Sequence, residues 1–116
     1  MTESDIQLDI TNYLTSMGIK WTKAIYNSRA GEPDLICCFL GLYVGIEVKV
    51  PGEKPTDLQV EKLEDIYNAK GIAMYATSVE EVSDCLTQAI QEDFSHPRLF
   101  QNWIEEHKAT VEIVEL

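Results

Sequence analysis

Three charged residues stand where strand geometry can gather them: Asp34, Glu47 and Lys49. Two carboxylates beside an ammonium group suit metal-assisted phosphate chemistry. A hard divalent cation takes oxygen ligands and keeps several waters. Asp34 and Glu47 offer two oxygens, the backbone carbonyl of Val48 offers a third, and water and a phosphate oxygen complete the shell. Such a cation polarises the phosphate, lowers the pKa of a bound water and offsets charge on the leaving oxygen. Lys49 would orient or deprotonate the attacking water, or stabilise the charged transition state. Taken singly, each piece has a plainer reading. A Glu-x-Lys on an alternating strand is usually an exposed ion pair, and Pro33-Asp34 is usually turn chemistry.

The elements that must position these residues are legible. Asp34 to Leu40 is a nearly continuous apolar run, as in a strand covered on both faces. Tyr43 to Val50 alternates: Val44, Ile46, Val48 and Val50 point one way, and Gly45, Glu47 and Lys49 the other. A two-residue turn at Leu40-Gly41 pairs Phe39 with Leu42, and continuing that register sets Asp34 opposite Glu47. Directly opposed residues have Cβ atoms about 4.5–5.5 Å apart. Carboxylates that close repel unless a cation compensates. A one-residue slip would send the two to opposite faces.

Around the hairpin, a helical pattern runs from about Ser4 to Met17, with Gly18 as its C-cap. Ile19 to Tyr26 alternates as a strand, and Asn27 to Pro33 is a loop. After Pro51-Gly52-Glu53-Lys54-Pro55, a helix runs from about Thr56 to Lys70 and stops at Gly71. Ile72 to Thr77 reads as a strand and Val79 to Gln91 as a helix. A short helix near Leu99 to His107 and a strand from Thr110 to Val114 close the chain. The order, α-β-β-β-α-β-α-α-β, predicts an α/β fold in which helices flank a mixed sheet.

In order, Gly31-Glu32-Pro33-Asp34-Leu35, Ile46-Glu47-Val48-Lys49, Pro51-Gly52 and Gln59 form a series. That series resembles the PD-(D/E)xK nucleases and, within them, the VRR-NUC group. The likeness covers about residues 2–80. It implies a restriction-endonuclease-like mixed sheet flanked by helices. It further implies phosphodiester hydrolysis dependent on Mg²⁺ or Mn²⁺, with DNA as substrate, including flapped, branched and four-way forms, and often a homodimer. It also implies supporting roles on helices: a metal-facing Glu3 or Gln7 on the first, and Gln59 on the helix after Glu-x-Lys. Helix capping explains these positions too. Ser4-x-x-Gln7 and Thr56-x-x-Gln59 both have the form of a capping box, and Glu3 falls at or just before the first helix.

Lys54 and Arg29 lie in loops near the hairpin, where they can touch phosphates or stay solvated. Trp21 and Tyr26 read as core or interface residues. Phe94, Phe100 and Trp103 suit a tail packed on the body or on a partner. His96 and His107 lack metal-ligand spacing and receive no chemistry.

The net charge of −11 at pH 7 opposes a simple DNA-binding surface. Its distribution softens that. Residues 59–116 hold 12 acids and 4 bases, whereas residues 18–56 hold five bases against four acids. The acids of the second half read as a solubilising surface. A chain of 116 residues is expected to form one domain, with its core over about 2–90 and an extension over about 91–116. No apolar run approaches the roughly 20 residues that cross a bilayer. The polar, acidic N-terminus and the odd cysteine count suit a cytoplasmic protein with reduced, mostly buried thiols. The sequence therefore predicts a structure-selective DNA endonuclease. The alternatives are a non-catalytic binding or assembly domain of the same fold, and an acidic DNA mimic. Neither has a physical need for two close carboxylates.

Overall fold

The computed structural model describes residues 1–24 and 30–91. The element order is α1 (Glu3–Ser16), β1 (Lys20–Lys23), β2 (Leu35–Phe39), β3 (Leu42–Val48), α2 (Asp57–Asn68), β4 (Ile72–Ala76) and α3 (Val79–Gln91). Tyr26, Arg29 and the predicted elements of the tail lie outside the described residues. No described helix is long and apolar enough to cross a membrane.

The four strands form one sheet in the order β1-β2-β3-β4. β1 pairs antiparallel with β2, and β2 antiparallel with β3. β4 lies parallel to β3, the crossover being made by α2. The sheet is therefore mixed, as expected. The hairpin register is also the expected one, with Phe39 opposite Leu42 and Leu35 opposite Ile46. Its turn residues, Leu40 and Gly41, both take positive φ, 50° and 84°. That is the type I′ signature, the turn whose twist matches paired strands.

The sheet has one thickly covered face. Ile6, Ile10 and Leu14 of α1, Val44, Ile46 and Val48 of β3, Ile72 and Met74 of β4, and Val82, Cys85 and Leu86 of α3 share the main core. α2 covers the other face, where Leu63 and Ala73 form a smaller cluster with Ile66 and Tyr67. Gly45 is what lets α2 approach. A Cβ there would lie 2.5 Å from Ile66 Cδ1 and 3.0 Å from Pro33 Cγ. Residue alternation along β3 thus sends its valines and isoleucine to the core and Gly45 and Glu47 to the α2 side.

Two expectations need correction. β2 is not covered along its whole length, since Cys38 is exposed while Cys37 and Cys85 are buried, all three as free thiols. α2 packs on β3 and β4. The first helix is capped by Thr2, not by Ser4. Thr2 Oγ1 accepts from the Asp5 N–H at 3.2 Å and Asp5 Oδ2 accepts from the Thr2 N–H at 2.9 Å, completing a capping box two residues earlier. Glu3 is therefore inside the helix, in its first turn.

Candidate active site

Asp34 is delivered by the loop Gly31-Glu32-Pro33. Gly31 sits at φ 83°, and a Cβ on it would meet Leu58 Cγ at 2.6 Å, so both the backbone and the packing under α2 require glycine. Pro33 is fully buried. It turns the chain into β2 and leaves Asp34 as the last residue before the strand.

The register then fixes what Asp34 meets. Phe39 and Leu42 close a two-residue turn, so alternate pairs along the hairpin are hydrogen-bonded. The pair after Leu35–Ile46 is Asp34–Glu47, of the non-hydrogen-bonded kind, in which Cα atoms approach to about 4.5 Å and side chains come closest. Past this pair, Pro33 has no N–H with which to continue the ladder. Asp34 itself takes over, its Oδ2 accepting the Val48 N–H at 2.8 Å. The Lys49 N–H bonds to Ala76 O at 3.0 Å. Odd residues of β3 therefore aim their peptide groups at β4, and Val48 aims its own at the Asp34 side. The Val48 carbonyl lies on the β2 side of β3, opposite a proline that has no N–H to donate to it.

Glu47 is only 2% exposed. Its pKa is pushed up to about 9, first by burial, then by the neighbouring negative charge of Asp34 and a hydrogen bond to it that favours the neutral form. Lys49, half-buried on the adjoining position of the strand, pulls in the opposite direction. Glu47 Oε1 accepts from Gln59 Nε2 at 3.2 Å. Glu47 Oε2 is buried and has no hydrogen-bond partner. A buried carboxylate oxygen without a donor is costly; in the metal-free chain the raised pKa means that a proton relieves it, and a cation could take that proton's place.

The remaining predicted residues sort by position. Gln59 performs both roles that the sequence offered: its Oε1 accepts the Thr56 N–H at 2.9 Å, completing a capping box, while its Nε2 reaches Glu47. Glu3 lies within electrostatic reach. Its pKa is raised by burial and then by Asp34, and Lys49 counters this. It is nevertheless not a member of a tight ligand set. Among the described residues, no three His, Cys, Asp or Glu side chains gather closely enough to hold a metal ion. Gln7 is half-buried one turn beyond Glu3 and forms none of the hydrogen bonds that join Asp34, Glu47 and Gln59. Lys54 is exposed in the loop before α2. Trp21 packs against the main core and donates from Nε1 to Thr15 Oγ1 at 2.9 Å, a structural role. Glu53 was not singled out by sequence reasoning, yet its charge contributes to the rise at Glu3.

No family model matches the chain. No curated protein matches it either. Solved structures do. One described as a VRR_NUC domain is 22% identical with a TM-score of 0.62, over 78% of this chain and 95% of that one. Another, described as a VRR_NUC domain protein, is 20% identical with a TM-score of 0.63, over 78% of this chain and 89% of that one. The chain has the fold of a VRR-NUC domain.

Proposed function

We propose that this domain is a Mg²⁺- or Mn²⁺-dependent nuclease of the PD-(D/E)xK kind that hydrolyses phosphodiester bonds in DNA. The observation that carries the reading is half-buried Asp34 beside buried Glu47, whose Oε2 has no hydrogen-bond donor. The donor types fit a hard cation: two carboxylates and the Val48 carbonyl would supply oxygens, and water and a phosphate oxygen would complete the shell. When bound there, the cation supplies Lewis-acid polarisation of the phosphate and a more acidic water. Asp34 and Glu47 hold it. Lys49 supplies a positive charge beside the reacting phosphate and a hydrogen-bond donor for the attacking water or the charged transition state. Glu3 and Gln7 stand farther out and would act through bound water. Lys54 and Arg29 would meet the DNA backbone.

The charge of −11 shapes the substrate preference. Long-range attraction to linear duplex is weak for such a protein. Affinity must come from local contacts, from a shape that fits branched or flapped DNA, or from a homodimer presenting two sites. The test is a cleavage panel of linear, flapped and four-way DNA with Mg²⁺ or Mn²⁺, run beside Glu47→Ala. Cleavage that is metal-dependent, stronger on branched forms and lost in the variant is expected. Full activity in a folded Glu47→Ala protein would overturn the reading, and equal affinity for linear and branched DNA at matched salt would overturn the preference.

A further inference from the structure

We infer that Gln59 is a positioning residue whose side-chain amide is locked in one orientation by the first turn of α2, and that this lock turns Glu47 so that Oε2 is left for the metal. The inference rests on the nuclease reading above and concerns how its ligand is held.

The lock follows from donor and acceptor identities. An amide side chain has one acceptor end and one donor end, which can exchange by a flip. The Thr56 backbone N–H can only donate. It meets Gln59 Oε1 at 2.9 Å, so the acceptor end is committed to the helix cap. The donor end must then face the other way, where Nε2 meets Glu47 Oε1 at 3.2 Å. Thr56 Oγ1 holds the same turn by accepting the Gln59 N–H at 3.2 Å. One side chain thus joins the helix start to the strand that carries the carboxylate. Of the two Glu47 oxygens, Oε1 takes the Gln59 donor, whereas fully buried Oε2 receives none and is left to a proton or a cation. A carboxylate held by one oxygen and bare at the other presents that second oxygen as a single ligand. Gln59 touches neither substrate nor metal in this arrangement. It acts through Glu47, as hydrogen-bonding partners of metal ligands do.

Mn²⁺ binding to the full chain, measured by titration calorimetry, tests this with two variants. Gln59→Met keeps the length and bulk of the side chain and removes both amide bonds. Thr56→Ala removes the cap hydroxyl but keeps the backbone N–H that sets the amide. Thermal melting in EDTA reports the stability each has lost. Gln59→Met is expected to weaken Mn²⁺ binding by on the order of tenfold or more, the usual cost of losing a ligand's hydrogen-bonding partner. Thr56→Ala is expected to stay within about twofold of the native protein while melting lower, because only the cap is lost. Native-like Mn²⁺ affinity in Gln59→Met overturns the inference. So does an equal loss in Thr56→Ala, which would trace the effect to the helix start as a whole. Absence of Mn²⁺ binding by the native chain would instead overturn the nuclease reading.

Discussion

Glu47→Gln should make the metal-free protein more stable at pH 8 while abolishing metal binding. The Glu47 carboxyl has its pKa at about 9 in the folded chain, against an ordinary value of 4.5. Between those values the folded state keeps a proton that the unfolded state has lost. The contribution of this group is therefore intact below about pH 4.5 and drains away as pH rises toward 9. One proton of difference is about 1.4 kcal/mol per pH unit, so from pH 5 to pH 8 the native protein should lose up to about 4 kcal/mol through this one residue. Relaxation of Asp34 and entry of water trim that figure. Glutamine at 47 has no proton to lose. Its carbonyl can accept from Gln59 Nε2 as Glu47 Oε1 does, and its amide can donate toward Asp34. The variant should thus match the native chain near pH 5 and exceed it at pH 8 by a few kcal/mol, which for a small domain is on the order of 10 °C or more in Tm. Urea unfolding in EDTA at the two pH values measures it, with each slope checked for two-state behaviour. A variant less stable than native at pH 8, or one whose advantage is the same at pH 5, would refute the reasoning. In the native protein, saturating Mn²⁺ should raise Tm more at pH 8 than at pH 5, because the cation displaces the proton; in Glu47→Gln it should do neither.

Lys49→Met should cut cleavage by about 10²-fold or more while leaving Mn²⁺ affinity near native, because under the proposed function the ammonium would serve the reacting phosphate and not ligate the cation; comparable loss in both measurements would refute this. Leu40 is 65% exposed at φ 50°, a conformation costly to a branched side chain. Leu40→Asn should therefore stabilise the hairpin by about 1 kcal/mol in urea unfolding without touching activity. Gly45→Ala should cost about 1–3 kcal/mol by driving a Cβ into Ile66 Cδ1. Adding Ile66→Val, which removes that atom, should recover part of the loss; simple additivity of the two would show that they do not share the contact.

The hairpin was the most legible part of the chain. Alternation along Tyr43 to Val50 and the Leu40-Gly41 turn together set the register, and the register decides whether Asp34 and Glu47 meet. Helix ends were less legible where several capping residues crowd together. Thr2, Ser4 and Asp5 are all capping types near the first helix, and the reciprocal bonds between Thr2 and Asp5 place the cap at Thr2. Gln59 showed the limit of reading capping and function as rivals. Periodicity and spacing assign one role per side chain, but an amide has two ends, and here each end is used. The bare state of Glu47 Oε2 was invisible in sequence, since it depends on how α2 and β3 close around it. Gly45 was placed on the correct face, but its reason, the approach of Ile66 and Pro33, belongs to packing across the crossover.

The proposed site lies where regular pairing of β2 with β3 ends, and that placement is what would free its ligands. A hairpin that continued through residue 33 would consume the peptide groups of Val48 in backbone bonds. Pro33 prevents this because it has no N–H, and its burial against Gly45 holds the chain in the turn. The Val48 N–H is recovered by Asp34, which orients that carboxylate, and the carbonyl faces the same side without a strand partner. Glu47, one residue earlier, carries the second carboxylate, and Lys49, one residue later, carries the charge. In the proposed site three successive residues would contribute a side chain, a peptide group and a side chain. The sheet gives up part of a ladder and buries the Glu47 carboxyl beside Asp34 to make this arrangement, which is what raises the Glu47 pKa. Both costs fall on the metal-free state, so binding of a cation should stabilise this fold more than the exposed acids of α2 and α3 would lead one to expect.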